Sequence, residues 1–151
     1  MLGDGTGSFN AISADSSGIE IYGEQRGSAV SDYNRDGKPD WWSLKNGSET
    51  KLYANNGSAR GISIRLEGPS ENPSAIGAKL RLYKDGNPVS YRREIKAGSG
   101  YLSQSSSTQI LGYSEVPDVV SIIWPNGEEM NVSMPADQSY IIIDRQGNIV
   151  N

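Results

Sequence analysis

Cysteine and histidine are both absent from the 151 residues, and phenylalanine occurs once. Without cysteine there is no disulfide framework, no thiolate metal site and no sulfur nucleophile. Without histidine the commonest general base and transition-metal ligand is missing too. No apolar run approaches the ~20 residues of a membrane span, so no span is expected. Positive charge is also short: the net charge of −4 argues against a nucleic-acid partner, which demands a basic surface. Helical periodicity is lacking over any useful length. There is no signal peptide at Met1. The turn-like LGDGTG that follows Met1, with no element before it, is expected to be an excerpt of a longer chain, so this absence says little about compartment.

What is present is glycine, with 18 residues, and short apolar runs bounded by Gly, Pro, Asn or Asp. That pattern predicts an all-β protein. Strands are expected at about 18–22, 28–31, 41–44 and 51–54. Four short strands in some forty residues make one four-stranded propeller-type blade, assigned to residues 1–57. A lone blade cannot cover both its faces, so it needs neighbouring repeats or the region that follows. From residue 58 to 151 the strands lengthen and alternate cleanly: Ile62, Ile64 and Leu66 oppose Ser63, Arg65 and Glu67, and Ala78, Leu80 and Leu82 oppose Lys79, Arg81 and Tyr83. Turns are expected at KDGNP (84–88), PNG (125–127) and QGN (146–148). The KDGNP turn should lead into VSYRREIK as an antiparallel ribbon. An antiparallel β-sandwich or small barrel should result.

Residues 32–40, DYNRDGKPD, hold the most explicit chemistry. Asp32, Asn34, Asp36 and Asp40 place side-chain oxygens at alternating loop positions, the carbonyl of Lys38 offers a fifth ligand, and Gly37 permits a sharp turn at positive φ. A hard cation that takes six to eight oxygens suits this set, so a Ca²⁺ site is expected. It is not an EF-hand, because Ser43 stands where a bidentate glutamate is needed and the flanks are strand-like. The same residues favour a metal-free hairpin turn. Three carboxylates within nine residues, however, would repel one another without a cation.

Other surfaces compete for function. Gly98, Ser99, Gly100, Tyr101, Ser103 and Gln104 could present amides, hydroxyls and an aromatic face to a sugar or peptide, or could fold tightly and pack on the blade. No phosphate-loop pattern accompanies them. Seven basic against four acidic residues over 61–110 could form a basic face from Arg65, Lys79, Arg81, Arg92 and Lys96, or simply solvate a sheet. Trp41 and Trp42 must face opposite ways in a strand, and Trp124 before a turn is expected to plug the core. Glu94, Asp118, Glu128 and Glu129 could furnish a carboxylate pair for glycoside hydrolysis. The many serines have no base to activate them. NGS at Asn46 and Asn56 and NVS at Asn131 fit the glycosylation tripeptide in a host that uses it.

Four segments, IGAKLRLY (76–83), REIKAGSGYLSQSS (93–106), VVSIIWPNG (119–127) and ADQSYIII (136–143), together resemble the ASPIC/UnbV domain, the C-terminal module of secreted FG-GAP-type repeat proteins that include bacterial surface proteins and cartilage acidic protein. RGSAVSDYNRDGKPDWW and KLYANNGS resemble one FG-GAP (VCBS) repeat, whose calcium-loop residues fall on Asp32, Asn34, Asp36, Lys38 and Asp40. The chain departs from the family at QILGYSE (109–115), where Gly112 is kept but the following apolar residue and second glycine are lost. The resemblance implies a calcium-stabilised propeller with a β-rich cap, secreted, periplasmic or on the cell surface. The function expected is a non-catalytic calcium-binding module for adhesion, protein interaction or assembly, with a protein or glycan partner and upstream repeats of the same chain. The alternatives are a carbohydrate-binding module using Tyr101 and an exposed Trp, and part of a hydrolase completed by upstream repeats.

Overall fold

In the computed structural model, which describes residues 1–4 and 6–150, the chain is all-β apart from one helical turn. Strands β1 (Leu2–Gly3) and β2 (Phe9–Asn10) form a small ribbon, and α1 (Ala14–Ser17) follows. Strands β3 (Gln25–Ser31), β4 (Asp40–Lys45) and β5 (Lys51–Tyr53) make an antiparallel sheet in that order. The remaining strands are β6 (Gly61–Leu66), β7 (Lys79–Lys84), β8 (Asn87–Pro88), β9 (Arg93–Glu94), β10 (Gln109–Gly112), β11 (Val119–Ile123), β12 (Glu129–Ser133) and β13 (Tyr140–Ile143). They form two sheets: β10-β6-β13, and β12-β11-β7-β8 with β9 also on β7.

Those two sheets bury their apolar faces in one core. Ile62, Ile64, Leu66, Leu111, Ile141 and Ile143 come from the first, and Leu80, Leu82, Val120, Ile122 and Val132 from the second. Removing each such side chain from water contributes about 1.5–3 kcal/mol. Alternation along β6 and β7 sets the register, as expected, and Trp124 closes the core at 2 % exposure. Every sheet is open among the described residues, so the two-layer arrangement replaces the barrel alternative, and β13 runs parallel to β6 where antiparallel pairing was expected.

Two expectations need correction. The sheet β3-β4-β5 has three strands, because residues 18–22 do not join a ladder. The Ser13 hydroxyl caps α1, and Gly18, at φ 68°, ends it and redirects the chain. The 18–22 segment is tied to β5 by side chains instead: Tyr53 Oη donates to the Glu20 carbonyl (2.9 Å) and Lys51 Nζ does the same (3.1 Å). The second correction concerns VSYRREIK, which is not one strand. Ser90 Oγ accepts the Leu82 N–H at 2.9 Å in place of a backbone carbonyl, so pairing with β7 breaks between β8 and β9. The intervening turn forms as expected, with Asp85 (φ 48°) and Gly86 (φ 77°) both left-handed, the two-residue geometry that matches strand twist.

Candidate functional site

The 32–40 loop joins β3 to β4 and is wound around its own carboxylates. Asp32 Oδ1 accepts the Asp36 N–H (3.0 Å), while its Oδ2 accepts the Gly37 N–H (2.9 Å) and the Ser63 hydroxyl (2.5 Å). Asn34 Oδ1 accepts the Asp36 N–H at 3.3 Å, and its amide donates to Asp36 Oδ2 at 3.1 Å. The Lys38 N–H donates to Asp36 Oδ1 at 2.9 Å, and the Lys38 ammonium lies 3.8 Å from Asp36 Oδ2. Asp40 is fully buried and accepts from the Tyr33 N–H (3.0 Å) and the Asn55 N–H (2.8 Å), so it ties the loop to the chain leaving β5.

The loop is also pressed against β6. Gly37 stands at φ 79°, and a Cβ there would lie 2.3 Å from the Gly61 carbonyl oxygen. A Cβ on Gly61 would in turn lie 2.4 Å from the Gly37 carbonyl oxygen. Arg35, at φ 60°, sets its guanidinium 4.6 Å over the Tyr140 ring, and its carbonyl accepts the Ser139 hydroxyl at 2.6 Å. Ser63, on the side of β6 that alternation assigns to solvent, is completely buried beneath this contact.

Among the described residues no three His, Cys, Asp or Glu side chains form a ready metal-holding group. The donor set still has capacity. A carboxylate offers about four acceptor positions. Asp32 uses three of them, while Asp36 and Asp40 use two each for hydrogen bonds. Three carboxylates face one ammonium, that of Lys38, in ion-pair range. The residues therefore fit a calcium ion in donor type, spare lone pairs and excess negative charge.

The 98–106 segment covers the free edge of β3. Val30 N–H donates to Ser105 Oγ (3.2 Å), the Ser106 N–H donates to the Val30 carbonyl (3.3 Å), and Gly27 lies against Leu102 and Ser103. Ser99 Oγ accepts the Ser105 N–H at 2.6 Å, Ser103 Oγ donates to the Tyr101 carbonyl at 3.3 Å, and Gly100 pairs with Ser103. Gly98 turns at φ 80°, and Gln104 is exposed. Much of the segment's polarity is thus spent on itself and on β3. Tyr101 stays 78 % exposed and shares a hollow of about 300 Å³ with Trp41, which stacks on Tyr53 at 5.6 Å. Trp42 turns the other way and donates from Nε1 to Ser31 Oγ at 2.9 Å.

The "ASPIC and UnbV" family model matches residues 68–149, more than half of the chain. The chain belongs to the ASPIC and UnbV family. No curated protein matches it. The family match begins just after β6, yet β6 is the middle strand of the β10-β6-β13 sheet. The strand that receives the 32–40 loop is therefore structurally part of the ASPIC and UnbV fold although it lies outside the matched stretch. The divergent QILGYSE segment supplies β10 on β6, after which the Ser114 N–H donates to the Val89 carbonyl (3.1 Å).

The acidic residues weighed for catalysis in the ASPIC and UnbV region are distributed over β9, the residue before β11 and the β11–β12 hairpin. The Asp85 N–H and then the Lys84 ammonium, 3.3 Å away, hold the Asp118 carboxyl below its ordinary range. Glu128 is likewise lowered, by Arg145 first and by Asn126. Glu94 is on β9 and Glu129 on β12, at different edges of the sheet. Ser63, Gly61 and Ser139 are site residues that sequence reasoning missed. A serine that interrupts nothing in the alternation gives no sign that a distant loop covers it.

Proposed function

We propose that the chain is a non-catalytic, calcium-stabilised docking module in which an FG-GAP-type blade is fixed to the ASPIC and UnbV fold through the 32–40 loop. The observation that carries this reading is Asp40, a carboxylate wholly withdrawn from water with two amide donors and, among the described residues, no cationic side chain in ion-pair range. Burying such a group costs several kcal/mol unless charge is offset nearby. Asp32, Asn34, Asp36, the Lys38 carbonyl and Asp40 would hold the ion. Bound calcium supplies a shared positive pole for these oxygens; the chain's own part is to orient them by backbone amides and to transmit the loop's order to β6 through Ser63 and Gly61 and to β13 through Tyr140.

The sheet β3-β4-β5 supports an adhesion or assembly role, because Val30, Leu44, Tyr22 and Ile19 leave apolar surface exposed on and beside it. Neighbouring β-repeats or a partner protein would cover it. A weak calcium site fits a secreted, periplasmic or cell-surface setting. With no histidine or cysteine, and with Asp118 held low chiefly by the Asp85 N–H and Glu128 by Arg145, neither carboxyl is poised as a general acid for hydrolysis. A second reading, carbohydrate binding, is favoured by the hollow that Tyr101 shares with Trp41.

Calorimetric titration of metal-stripped protein with calcium, with parallel melting curves, tests the main reading. One saturable site is expected, lost in Asp36→Ala. At a hundredfold excess over Kd the gain is about 2.7 kcal/mol, which is about 5–10 °C for a chain of this size. Absence of binding at millimolar calcium would refute it. A neutral-sugar titration abolished by Tyr101→Ala would establish the second reading.

A further inference from the structure

A second constellation shares no residue with the tryptophan hollow. Arg60, Arg81 and Arg93 line one open groove of about 610 Å³ together with Tyr91, Tyr113 and Ser114. The three arginines arrive from separate elements: Arg60 just before β6, Arg81 in β7, and Arg93 in β9. Among the described residues none of them is in an ion pair. Arg81 is fixed, since its Nε donates to the Ser90 carbonyl at 3.2 Å and its guanidinium lies 5.9 Å from the Tyr83 ring centre. Its terminal nitrogens remain available for a planar, two-pronged contact.

Protection of sheet edges accounts poorly for this arrangement. Arginines that block edge pairing belong on the edge strands; Arg93 on edge strand β9 fits that role, but Arg81 sits in β7, which is paired on both sides, and Arg60 precedes β6, the middle strand of its sheet. Three guanidiniums gathered without counter-charge in a chain of net charge −4 make a local anion site. The groove also offers Tyr91, which is 88 % exposed, as a flat amphipathic face. Its large aliphatic side chains, Val89 and Leu111, are buried, and the apolar surface it exposes includes Tyr91, Pro88 and Ala59. An open wall of this kind gives an apolar anchor residue less purchase than an enclosed pocket would. A sugar ring, which stacks on an aromatic face and hydrogen-bonds to hydroxyls, suits it better.

We propose that the groove between Arg60, Arg81 and Arg93 binds an acidic oligosaccharide, its carboxylate or sulfate groups held by the guanidiniums and one sugar ring stacked on Tyr91. The groove contains none of the 32–40 loop residues, although Arg60 and Tyr113 also line a neighbouring hollow with Asp36 and Lys38, and the contacts proposed here are made by groups that are not calcium ligands. The test is calorimetric titration with oligogalacturonate, a sulfated heparin oligosaccharide, maltotetraose and oligoglutamate, in calcium and in chelator. One or both acidic sugars should bind saturably in both buffers, with the two arms showing whether carboxylate or sulfate is preferred, and maltotetraose should not. Arg60→Gln/Arg93→Gln should weaken binding about tenfold or more, Tyr91→Ala about threefold to tenfold, and the charge-matched pair Lys45→Gln/Lys51→Gln, on the β3-β4-β5 sheet, less than about twofold. Circular dichroism verifies that each variant is folded. The proposal is overturned if neither acidic sugar binds at millimolar concentration, or if oligoglutamate binds as tightly. Equal losses in the two double variants, or binding that disappears in chelator while the fold persists, would overturn it too.

Discussion

Residues 1–60 and residues 61–150 are stabilised by different physics. Among the described residues, every buried hydrophobic residue lies at or beyond Ile62, whereas the only buried side chains before it are the polar Asp40 and Ser43. The second region is an apolar core between two sheets. The first is a three-stranded sheet held by ladder hydrogen bonds, by the carboxylate-wound loop and by its contacts with β6 and the 98–106 segment. A sheet with no apolar core of its own depends on what it docks against. This explains why the 32–40 loop bonds both inward and across to Ser63, Gly61 and Tyr140.

The comparison is broken most severely from the core. Ile64→Ala should cost about 2–5 kcal/mol, and because β6 carries both the core and the loop's docking surface, chemical denaturation should show both regions destabilised. Gly37→Ala acts on the loop and on its contact with β6, leaving the apolar core untouched. Its Cβ meets the Gly61 carbonyl and its φ is left-handed, so a loss of about 2 kcal/mol is expected. Limited proteolysis should then cut residues 1–60 while 61–150 stays resistant. Equal sensitivity of the two regions would show that they fold as one unit.

Acid should sharpen the contrast by a smaller amount. Asp118, Glu128 and Asp144 are all lowered from ordinary values of 3.8, 4.5 and 3.8, chiefly by hydrogen bonds from Asp85, Arg145 and Asn148 respectively. A carboxylate with a lowered folded pKa stabilises fully above its unfolded value and loses that contribution as pH falls through the folded value. The melting temperature of the second region should be flat above about pH 5 and decline below it. The decline should be shallower in Asp118→Asn. An unchanged slope in that variant would remove Asp118 from the account.

Much of this was legible because alternation and turns are local. Ile62, Ile64 and Leu66, then Leu80 and Leu82, announced the core strands, and Asp85-Gly86 and Pro125-Asn126-Gly127 announced the turns. The loop was recognisable from residue type and spacing. Residues 18–22 misled because their apolar alternation resembles a strand, while the Ser13 cap and Gly18 turn before them decide the path. The break at Ser90 was hidden because a serine hydroxyl can replace a carbonyl in a ladder without altering the pattern. Contacts between distant segments, Gly37 on Gly61 and Asp32 on Ser63, leave no periodic trace at all. The arginine groove was missed for the same reason: Arg60 and Arg93 join Arg81 only through folding, while Arg65, Lys79, Arg92 and Lys96, grouped with Arg81 by sequence, are not among its lining residues.

The central claim is that calcium in the 32–40 loop fixes the first region onto β6. Amide hydrogen exchange, followed with and without calcium, measures this directly. The account predicts that calcium slows exchange across β3, β4, the loop and the Gly61–Ser63 backbone, while the amides of β7, β11 and β12 change little. Exchange unaltered by calcium throughout the loop and β6 would contradict it.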